Sequence, residues 1–377
     1  VKRVFGDEAK QKRVLDSSNG VARDIFADIK KSVSSIVDIS LLKNDKDLNE
    51  DCGSDFIKSK RELPAGISAS TSESASEGKK LAISTENGSL DGSTFLCAFD
   101  GDADRMIYLK PSSNQLIDGD RLCVLFASFL NHLLSLSNVN SEITTVVTDY
   151  TNGAAVSELK TKGTVKVAGT GVKNMQKASN NAVTVWFESN GHGTACFSGE
   201  IYNEIKNKLG YSENICLLDM PESALLNEMD QLLCRPSTTL STKDPSKRSP
   251  YNELFRKLTE QESLLLLHSL SDIFDPYIGD AIVNMLISEC IFYSGFVLPD
   301  VLLGVYQDMP NLLTSVAGRR DRLNELLIQS IKANYSDARI HLRASGTEDI
   351  IRIYVEGECE EKLRSIVENI KITLSEL

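Results

Sequence analysis

The sequence predicts a multidomain α/β protein, in which mixed α/β sheet domains flanked by helices precede a small C-terminal α+β domain. Three observations lead to this prediction. Residues 95–99 form a fully apolar run that is typical of a buried strand, and an acidic loop follows them. Residues 116–315 alternate strand-like and helix-like runs, which is the pattern of a largely parallel sheet. Residues 318–377 indicate helix, strand, loop, strand and helix in that order.

The length of 377 residues allows two or three domains, each with its own core. We predict domains at residues 1–115, 116–315 and 318–377, with a linker at 317–320. The first domain is expected to hold a metal, because of an acidic run at 99–105, and the third a phosphate, because of a run at 343–349.

Local patterns place the elements within these domains. In the first domain we predict a helix at 20–34, a strand at 35–39 and, because bulky apolar residues are nearly absent, a mobile loop or an insertion at 68–80. In the second we predict helices at 118–136, 153–162, 280–293 and 299–307, strands at 144–148, 165–168 and 183–187, and a Pro- and Ser-rich insertion near 209–249. In the third we predict helices at 321–333 and 359–374 and strands at 339–342 and 350–355.

Charge and cysteine content limit the classes of partner and of cellular location. The net charge of −12 argues against nucleic acid or an anionic membrane as a partner, so a small anionic ligand needs a local basic pocket. The basic residues considered for it are Arg105, Lys173, Arg343 and Arg352. The eight cysteines are scattered without a C-x-x-C pair, which predicts reduced thiols in a cytoplasmic protein. No apolar run approaches the ~20 residues that span a bilayer.

An alternating acidic loop follows the predicted strand at 95–99. Residues 99–105 read F-D-G-D-A-D-R, so that Asp100, Asp102 and Asp104 bring three carboxylates into one short loop. A hard divalent cation binds oxygen ligands of this kind. The alternatives are a solvated acidic turn and a calcium loop, but Pro111 stands where an EF-hand needs its twelfth-position Glu. The residues predict a site for a divalent cation.

A second motif lies between the two C-terminal strands, where residues 343–349 read R-A-S-G-T-E-D. Hydroxyl and backbone N–H groups of such a loop can wrap a phosphate, and a following arginine can add a second guanidinium fork. The predicted phosphate-binding residues are Arg343, Ser345, Gly346, Thr347 and Arg352. Taken alone, the run is also compatible with an ordinary surface turn.

A third motif follows the predicted strand at 183–187, where residues 187–195 read F-E-S-N-G-H-G-T-A. Its glycines let the backbone approach a ligand closely, and Glu188 and Asn190 can bond to polar groups of the ligand. His192 is a ligand candidate too, although a lone histidine is often structural. Residues 170–173, T-G-V-K, open a helix whose N–H groups favour an anion or a polar edge. They add Thr170, Gly171 and Lys173, of which the lysine is equally compatible with a plain surface position.

Together the three motifs resemble the α-D-phosphohexomutase superfamily, in which a DGDxDR loop holds Mg²⁺ and a C-terminal loop holds the substrate phosphate. The third motif is similar to the sugar-binding loop of the eukaryotic phosphoacetylglucosamine mutases, whereas most other branches carry a G-E-x-S-G-H-type loop. Further runs at 16–20, 116–120, 170–173 and 279–281 follow the family's order, so the resemblance covers nearly the whole chain.

The resemblance implies an isomerase that acts as an intramolecular phosphotransferase. Such an enzyme interconverts N-acetylglucosamine 6-phosphate and 1-phosphate through a phosphoserine and a bisphosphate, for UDP-N-acetylglucosamine synthesis. It implies that Arg105 lies beside the phosphoserine as a catalytic residue, and that Thr170, Gly171, Lys173, Glu188, Asn190 and His192 bind the sugar.

Two departures from the family pattern are visible. No T-A-S-H-N-P-type nucleophile loop occurs in the sequence, which begins at Val1, so we expect that an upstream domain is missing and that this chain alone does not turn over substrate. Ala344 replaces the usual proline of the phosphate loop, a change with a chain-entropy effect of about 0.4–1 kcal/mol. A non-catalytic sugar-phosphate-binding homologue and a phosphoglucomutase or phosphomannomutase sibling stay open as alternatives. The oligomeric state is not predicted.

Overall fold

The structure is a computed structural model that describes residues 10–74, 78–86, 88–90, 92–179, 182–210, 258–317, 321, 323–346 and 348–375. Thr347 and residues 211–249 of the predicted insertion lie outside these described residues.

Strands and helices alternate through most of the described chain. The strands are β1 (Gln11–Asp16), β2 (Val37–Leu41), β3 (Ile67–Ser74), β4 (Gly78–Thr85), β5 (Gly88–Leu90), β6 (Phe95–Phe99), β7 (Met106–Lys110), β8 (Gln115–Ile117), β9 (Ile143–Thr148), β10 (Thr164–Ala168), β11 (Val183–Phe187), β12 (Gly193–Phe197), β13 (Asn311–Ala317), β14 (Arg339–Ala344) and β15 (Ile350–Glu356). The helices are α1 (Ala22–Val33), α2 (Gly53–Lys60), α3 (Gly119–Ser137), α4 (Gly153–Lys160), α5 (Val172–Ala178), α6 (Gly199–Leu209), α7 (Glu260–Ile273), α8 (Ala281–Tyr293), α9 (Pro299–Leu303), α10 (Glu325–Ala333) and α11 (Glu360–Ser375).

The sheets confirm the predicted mixed α/β architecture. In the first sheet, β2-β1-β6-β7-β8, the strands β2, β1 and β6 are parallel and the rest antiparallel. The second sheet, β10-β9-β11-β12, is parallel except for its edge strand β12. The C-terminal sheet, β13-β15-β14, is antiparallel, and α11 packs on it. Strands β6 and β11 have the predicted bounds.

The prediction of a mobile loop at 68–80 was wrong. Strands β3 and β4 pair antiparallel along eight residue pairs, and β5 pairs with β4 to complete a small sheet. The prediction rested on the lack of apolar side chains, but the hydrogen bonds of a ladder come from the main chain and do not require them.

The C-terminal sheet also contains a strand that the sequence analysis missed. Strand β13 pairs with β15 along its whole length, just before the predicted linker at 317–320. Its residues alternate between exposed and half-buried, with none fully buried, so its apolar pattern is weak. The sheet therefore begins before residue 318, where the sequence analysis started the third domain.

One hydrophobic core joins the first two sheets. Helix α3 is buried along most of its length and packs against β11 and α7. Phe126 of α3 contacts Phe187 of β11 and Phe274 after α7, with ring centroids 5.3 and 5.7 Å apart. The C-terminal sheet and α11 form a separate apolar cluster. No helix in the described part of the chain has the length and apolar character needed to cross a bilayer.

A buried ion pair ties the first sheet to α8. Arg13 of β1 donates from Nε to Oε1 of Glu289 over 2.7 Å, and both side chains are almost fully buried. The guanidinium also lies 5.6 Å from the ring centroid of Phe95, and 5.9 Å from those of Tyr108 and Phe292. Because both charges are removed from water, each depends on the other for compensation.

We predict that Arg13→Met lowers the free energy of unfolding by about 3–5 kcal/mol, because it leaves the Glu289 carboxylate buried and unpaired. The double variant Arg13→Met, Glu289→Met is expected to lose less than the single variant. Urea unfolding followed by tryptophan fluorescence measures both. Arg364→Met, which breaks an exposed pair with Glu360, is the control and is expected to change little. A double variant less stable than Arg13→Met would contradict the account.

Candidate functional site

The acidic loop lies at the carboxyl end of the parallel strand β6, where ligand sites of α/β sheets tend to form. Asp100 fixes its shape, because Oδ1 accepts hydrogen bonds from the backbone N of Asp104 and of Arg105 at 3.1 and 3.0 Å. Ala103 adopts a φ of 58°, which completes the tight turn. The sequence folds locally into a loop that turns its acidic side chains to one side.

The three carboxylates fit a divalent cation. One oxygen from each of Asp100, Asp102 and Asp104 lies within 4.8 Å of the others. Oxygens bound to one Mg²⁺ at about 2.1 Å are at most about 4.2 Å apart, so small side-chain rotations suffice. Asp104 Oδ1 is buried and accepts no hydrogen bond from the described residues, and the nearest cationic group is the Arg105 Nε, 3.5 Å away.

Crowding of the acidic groups changes the protonation of Asp100. Burial, followed by the neighbouring Asp104 carboxylate, raises the pKa of Asp100 to about 7. A bound cation would favour the ionised form and reverse this shift. Proton and metal therefore compete for this site near neutral pH.

Arg105 connects the acidic loop to helix α2. Its guanidinium contacts Asp55 of α2 at 2.7 Å, Asp100 at 3.6 Å and Asp104 at 3.5 Å. The side chain is 36% exposed, so it borders the site and is not enclosed by it. Its predicted catalytic role stays a prediction.

The sugar-loop motif, residues 188–193, packs directly on the acidic loop and on α3. A Cβ at Gly119 would lie 1.8 Å from the carbonyl oxygen of Glu188, and one at Gly191, whose φ is +94°, would lie 1.8 Å from that of Met106. Only glycine allows these approaches. Glu188 Oε1 accepts a hydrogen bond from the backbone N of Gly171 at 2.9 Å. Gly119 and Gly191 thus let the sugar loop lie against α3 and β7, and the bond from Gly171 to Glu188 joins it to the 170–173 turn.

The two polar candidates of this loop are linked. Asn190 donates from Nδ2 to Glu188 Oε2 over 3.4 Å, and its Oδ1 accepts from the backbone N of His192 at 3.0 Å. His192 itself is buried, lies against Trp186 and bonds through Nδ1 to the carbonyl oxygen of Asp104 at 2.8 Å. It therefore connects the sugar loop to the acidic loop, and its role as a sugar ligand stays a prediction.

The phosphate-loop motif lies between β14 and β15. Arg343 and Arg352 are directly opposed in the antiparallel register, so both guanidinium groups start from the same face of the sheet. The backbone N of Ser345 donates to Ile350 at 2.9 Å, and its hydroxyl accepts from the backbone N of Glu348 at 3.3 Å. Gly346 is exposed, and Thr347 lies outside the described residues.

A direct contact joins the phosphate loop to the middle domain, because Arg343 donates a hydrogen bond to the hydroxyl of Thr170. Contacts therefore run without a break from Asp104 through His192, Asn190, Glu188 and the 170–171 turn to Arg343. Lys173, by contrast, is exposed on α5 and forms no ion pair within the described chain. The structure brings together nearly all the residues that the sequence predicted for metal, sugar and phosphate.

A network that the sequence analysis did not assign supports this arrangement. The buried carboxylate of Asp120 accepts from the hydroxyl of Ser189 at 2.6 Å and from the backbone N of Asn152 at 2.8 Å. Burial and the Asp118 carboxylate raise the pKa of Asp120 above its usual range. Asn152 in turn exchanges two hydrogen bonds with the backbone of Met309, at 3.0 and 3.1 Å. The sequence signal for this network is the 116–120 run, which contains Asp120 and follows the family's order but has no role assigned from the sequence.

Family models match two parts of the chain. Residues 118–230 match the model described as "Phosphoacetylglucosamine mutase AMG1, domain III". Residues 305–372 match the model "Phosphoglucomutase/phosphomannomutase, C-terminal domain", which includes the missed strand β13. These matches cover the sugar loop and the phosphate loop.

Curated relatives and solved structures agree with the models. The chain is 26% identical to phosphoacetylglucosamine mutase of Homo sapiens and 28% identical to phosphoacetylglucosamine mutase 1 of Schizosaccharomyces pombe; the matches cover 99% and 95% of this chain and 61% of each relative. A crystal structure of Aspergillus fumigatus N-acetylphosphoglucosamine mutase in complex with GlcNAc-6P and magnesium matches with a TM-score of 0.71 and 26% identity, over 98% of this chain and 67% of that one. A second crystal structure from that organism, in complex with glucose 1,6-bisphosphate, matches with a TM-score of 0.70 and 26% identity, over 98% of this chain and 62% of that one.

These comparisons confirm the resemblance to the phosphoacetylglucosamine mutases and the phosphohexomutase fold. The chain spans about three fifths of the length of the curated relatives that it matches.

We predict that the acidic loop binds Mg²⁺ and that Asp102→Ala abolishes the binding, because it removes one of three converging ligands. Lowering the pH from 8 to 6 is expected to weaken binding, since Asp100 takes up a proton below a pKa of about 7. Because one proton competes with the cation, the Mg²⁺ affinity falls by at most about ten-fold per pH unit, and this limit is reached only well below the pKa. Calorimetry with MgCl₂ measures both effects.

The matched control is Asp55→Ala. The Asp55 carboxylate contacts Arg105 but is not among the three proposed metal ligands. This variant is expected to keep most of the Mg²⁺ affinity. Unchanged Mg²⁺ affinity in Asp102→Ala would show that the acidic loop is not the metal site.

Proposed function

We propose that this chain carries the metal-, sugar- and phosphate-binding parts of a phosphoacetylglucosamine mutase. Its ligand is then an amino-sugar phosphate, N-acetylglucosamine 6-phosphate or 1-phosphate. The observation that carries the proposal is the hydrogen bond between Arg343 and Thr170, because it joins the phosphate loop to the 170–173 turn, whose Gly171 donates to Glu188 of the sugar loop. One sugar phosphate can therefore contact both loops at once.

The phosphate end of the site is positive although the chain is acidic overall. Arg343 and Arg352 face each other across β14 and β15, and the turn between them offers the hydroxyl of Ser345. Two guanidinium forks recognise a phosphate by charge and by geometry. Without such a local positive group, the net charge of −12 would repel the phosphate.

The sugar end offers hydrogen-bond acceptors and donors on rigid supports. Glu188 is held by Gly171 and by Asn190, so its carboxylate needs no reordering to accept from sugar hydroxyls. In the reaction that the resemblance implies, the sugar phosphate binds in two orientations. A fixed phosphate loop and polar sugar contacts of this kind suit both.

The acidic loop is the proposed Mg²⁺ site, held by Asp100, Asp102 and Asp104. A bound Mg²⁺ would offset the negative charge that develops on a transferring phosphoryl group. Arg105 holds its guanidinium against the same loop and adds positive charge there. A serine loop of the T-A-S-H-N-P type is not part of the 377-residue sequence, so the proposal assigns to these residues binding and charge stabilisation.

A sugar-phosphate-binding homologue without turnover is the alternative, and it would use the same ligand contacts. The cytoplasmic location expected from the cysteine pattern stays a prediction.

We predict that Arg343→Ala weakens binding of N-acetylglucosamine 6-phosphate by about 2–3 kcal/mol, because a charge-assisted contact is lost. Glu188→Ala is expected to weaken the same ligand but to leave the affinity for inorganic phosphate unchanged, because its contacts are with the sugar. Isothermal titration calorimetry with both ligands measures the difference.

Arg364→Ala, an exposed arginine of α11 whose partner is Glu360, is the control for the loss of a positive charge and is expected to bind like the wild type. If Arg343→Ala and Glu188→Ala lose inorganic phosphate equally, the assignment of separate phosphate and sugar loops is wrong.

A further inference from the structure

The C-terminal sheet has one apolar and one polar face. Alternate residues of paired strands point to the same side, and the apolar set packs on α11. The opposite set forms three cross-strand pairs, Arg339 with Glu356, His341 with Tyr354, and Arg343 with Arg352. We call this set the polar row. Its last pair belongs to the proposed phosphate pocket.

The loop that follows β9 lies against the polar row. At one end Arg339 donates to the carbonyl oxygen of Thr151, and the backbone N of Gly153 donates to Glu356 over 2.9 Å. In the middle Asp149 Oδ2 lies 3.4 Å from His341 Nδ1. These polar contacts of the loop thus reach two of the three pairs of the row.

Tyr150 lies in this loop and extends towards the third pair. Its ring packs edge-on against His341, with centroids 5.0 Å apart at 83°, and against Tyr354, with centroids 5.8 Å apart at 86°. These two residues form the cross-strand pair next to that of the two arginines on the same face of the sheet. The ring therefore packs on the middle pair of the polar row, beside the pair that belongs to the phosphate pocket.

The hydroxyl of Tyr150 is buried, and its proton has no acceptor among the described residues. Burial raises the pKa of Tyr150, whereas the charges of Arg343 and Arg352 and a side-chain hydrogen bond from Arg343 act against this rise. Because a guanidinium only donates, Arg343 satisfies the oxygen of the hydroxyl and leaves its proton without a partner, which is unfavourable in a buried position. A ligand that offers an acceptor oxygen between the two arginines would remove this cost.

We propose that the Tyr150 hydroxyl is a ligand of the substrate phosphate and donates a hydrogen bond to an oxygen that Arg343 and Arg352 also bind. This inference rests on the proposed function and adds a residue of the middle domain to the phosphate pocket. The pocket is then complete only when the C-terminal domain lies on the loop after β9. Phosphate binding and the docking of the two domains consequently stabilise each other.

Tyrosine suits this position better than another cation. The neutral hydroxyl donates one directional hydrogen bond and adds no charge to a pocket that already holds two guanidinium groups. Its ring is held on two sides by aromatic neighbours, so little side-chain entropy is lost when the ligand binds.

The test compares Tyr150→Phe with the wild type by calorimetry, using N-acetylglucosamine 6-phosphate and, separately, inorganic phosphate. We expect roughly ten-fold weaker binding of both ligands, as for the loss of one hydrogen bond to a charged oxygen. The thermal unfolding midpoint without ligand is expected to change little, because the variant removes both a buried proton without an acceptor and the oxygen that Arg343 contacts.

Tyr306→Phe is the matched control. Its hydroxyl is also buried, with no acceptor for its proton among the described residues, and its ring lies on a guanidinium, that of Arg121, 4.3 Å from the centroid. It is not part of the polar row, so we expect wild-type affinity for both ligands.

The outcomes separate this inference from the proposed function. If Arg343→Ala weakens binding of both ligands and Tyr150→Phe binds like the wild type, the inference is overturned and the proposed function stands. If Tyr150→Phe weakens only the sugar phosphate, the residue does not bind phosphate and the inference is likewise overturned. If the wild type binds inorganic phosphate but not the sugar phosphate, the proposed function fails, and weaker phosphate binding by Tyr150→Phe still supports the inference. A wild type that binds neither ligand overturns both.

Discussion

The arrangement of the site depends on how the loop after β9 is held, and Asn152 is the residue that holds it. Its backbone N donates to the buried Asp120, and its side chain exchanges two hydrogen bonds with the backbone of Met309, just before β13. Asp120 also accepts from Ser189 of the sugar loop. Because these buried polar groups are satisfied only in this geometry, the network fixes the sugar loop and the start of the C-terminal domain relative to one loop.

The local charges of the proposed site differ from the net charge of the chain. A chain with a net charge of −12 repels anions at long range, yet it is proposed to bind one. Three carboxylates lie at one end of the chain of contacts, where Arg105 also contacts two of them, and two opposed arginines lie at the other end, where Glu348 contacts Arg352. The polar sugar loop lies between them, so a cation and a phosphate are each met by groups of opposite charge.

The motifs with strong local constraints could be predicted from the sequence. Strands β6 and β11 are continuous apolar runs, and the acidic and phosphate loops are marked by glycine and by charge spacing. The 68–80 run and β13 could not be predicted from apolar periodicity, because main-chain pairing gives the first its structure and the second has no fully buried residue. Tyr150 and Asn152 acquire their roles only from the docking of two domains far apart in sequence, which no local pattern records.

The central claim is that three loops from separate parts of the chain form one binding site for an amino-sugar phosphate. A crystal structure of the chain with N-acetylglucosamine 6-phosphate and MgCl₂ tests it most directly. The account predicts the phosphate between Arg343 and Arg352, sugar hydroxyls on Glu188, and the metal on the loop of Asp100. A phosphate bound away from both arginines, or a sugar that does not touch the Glu188 loop, would contradict the account.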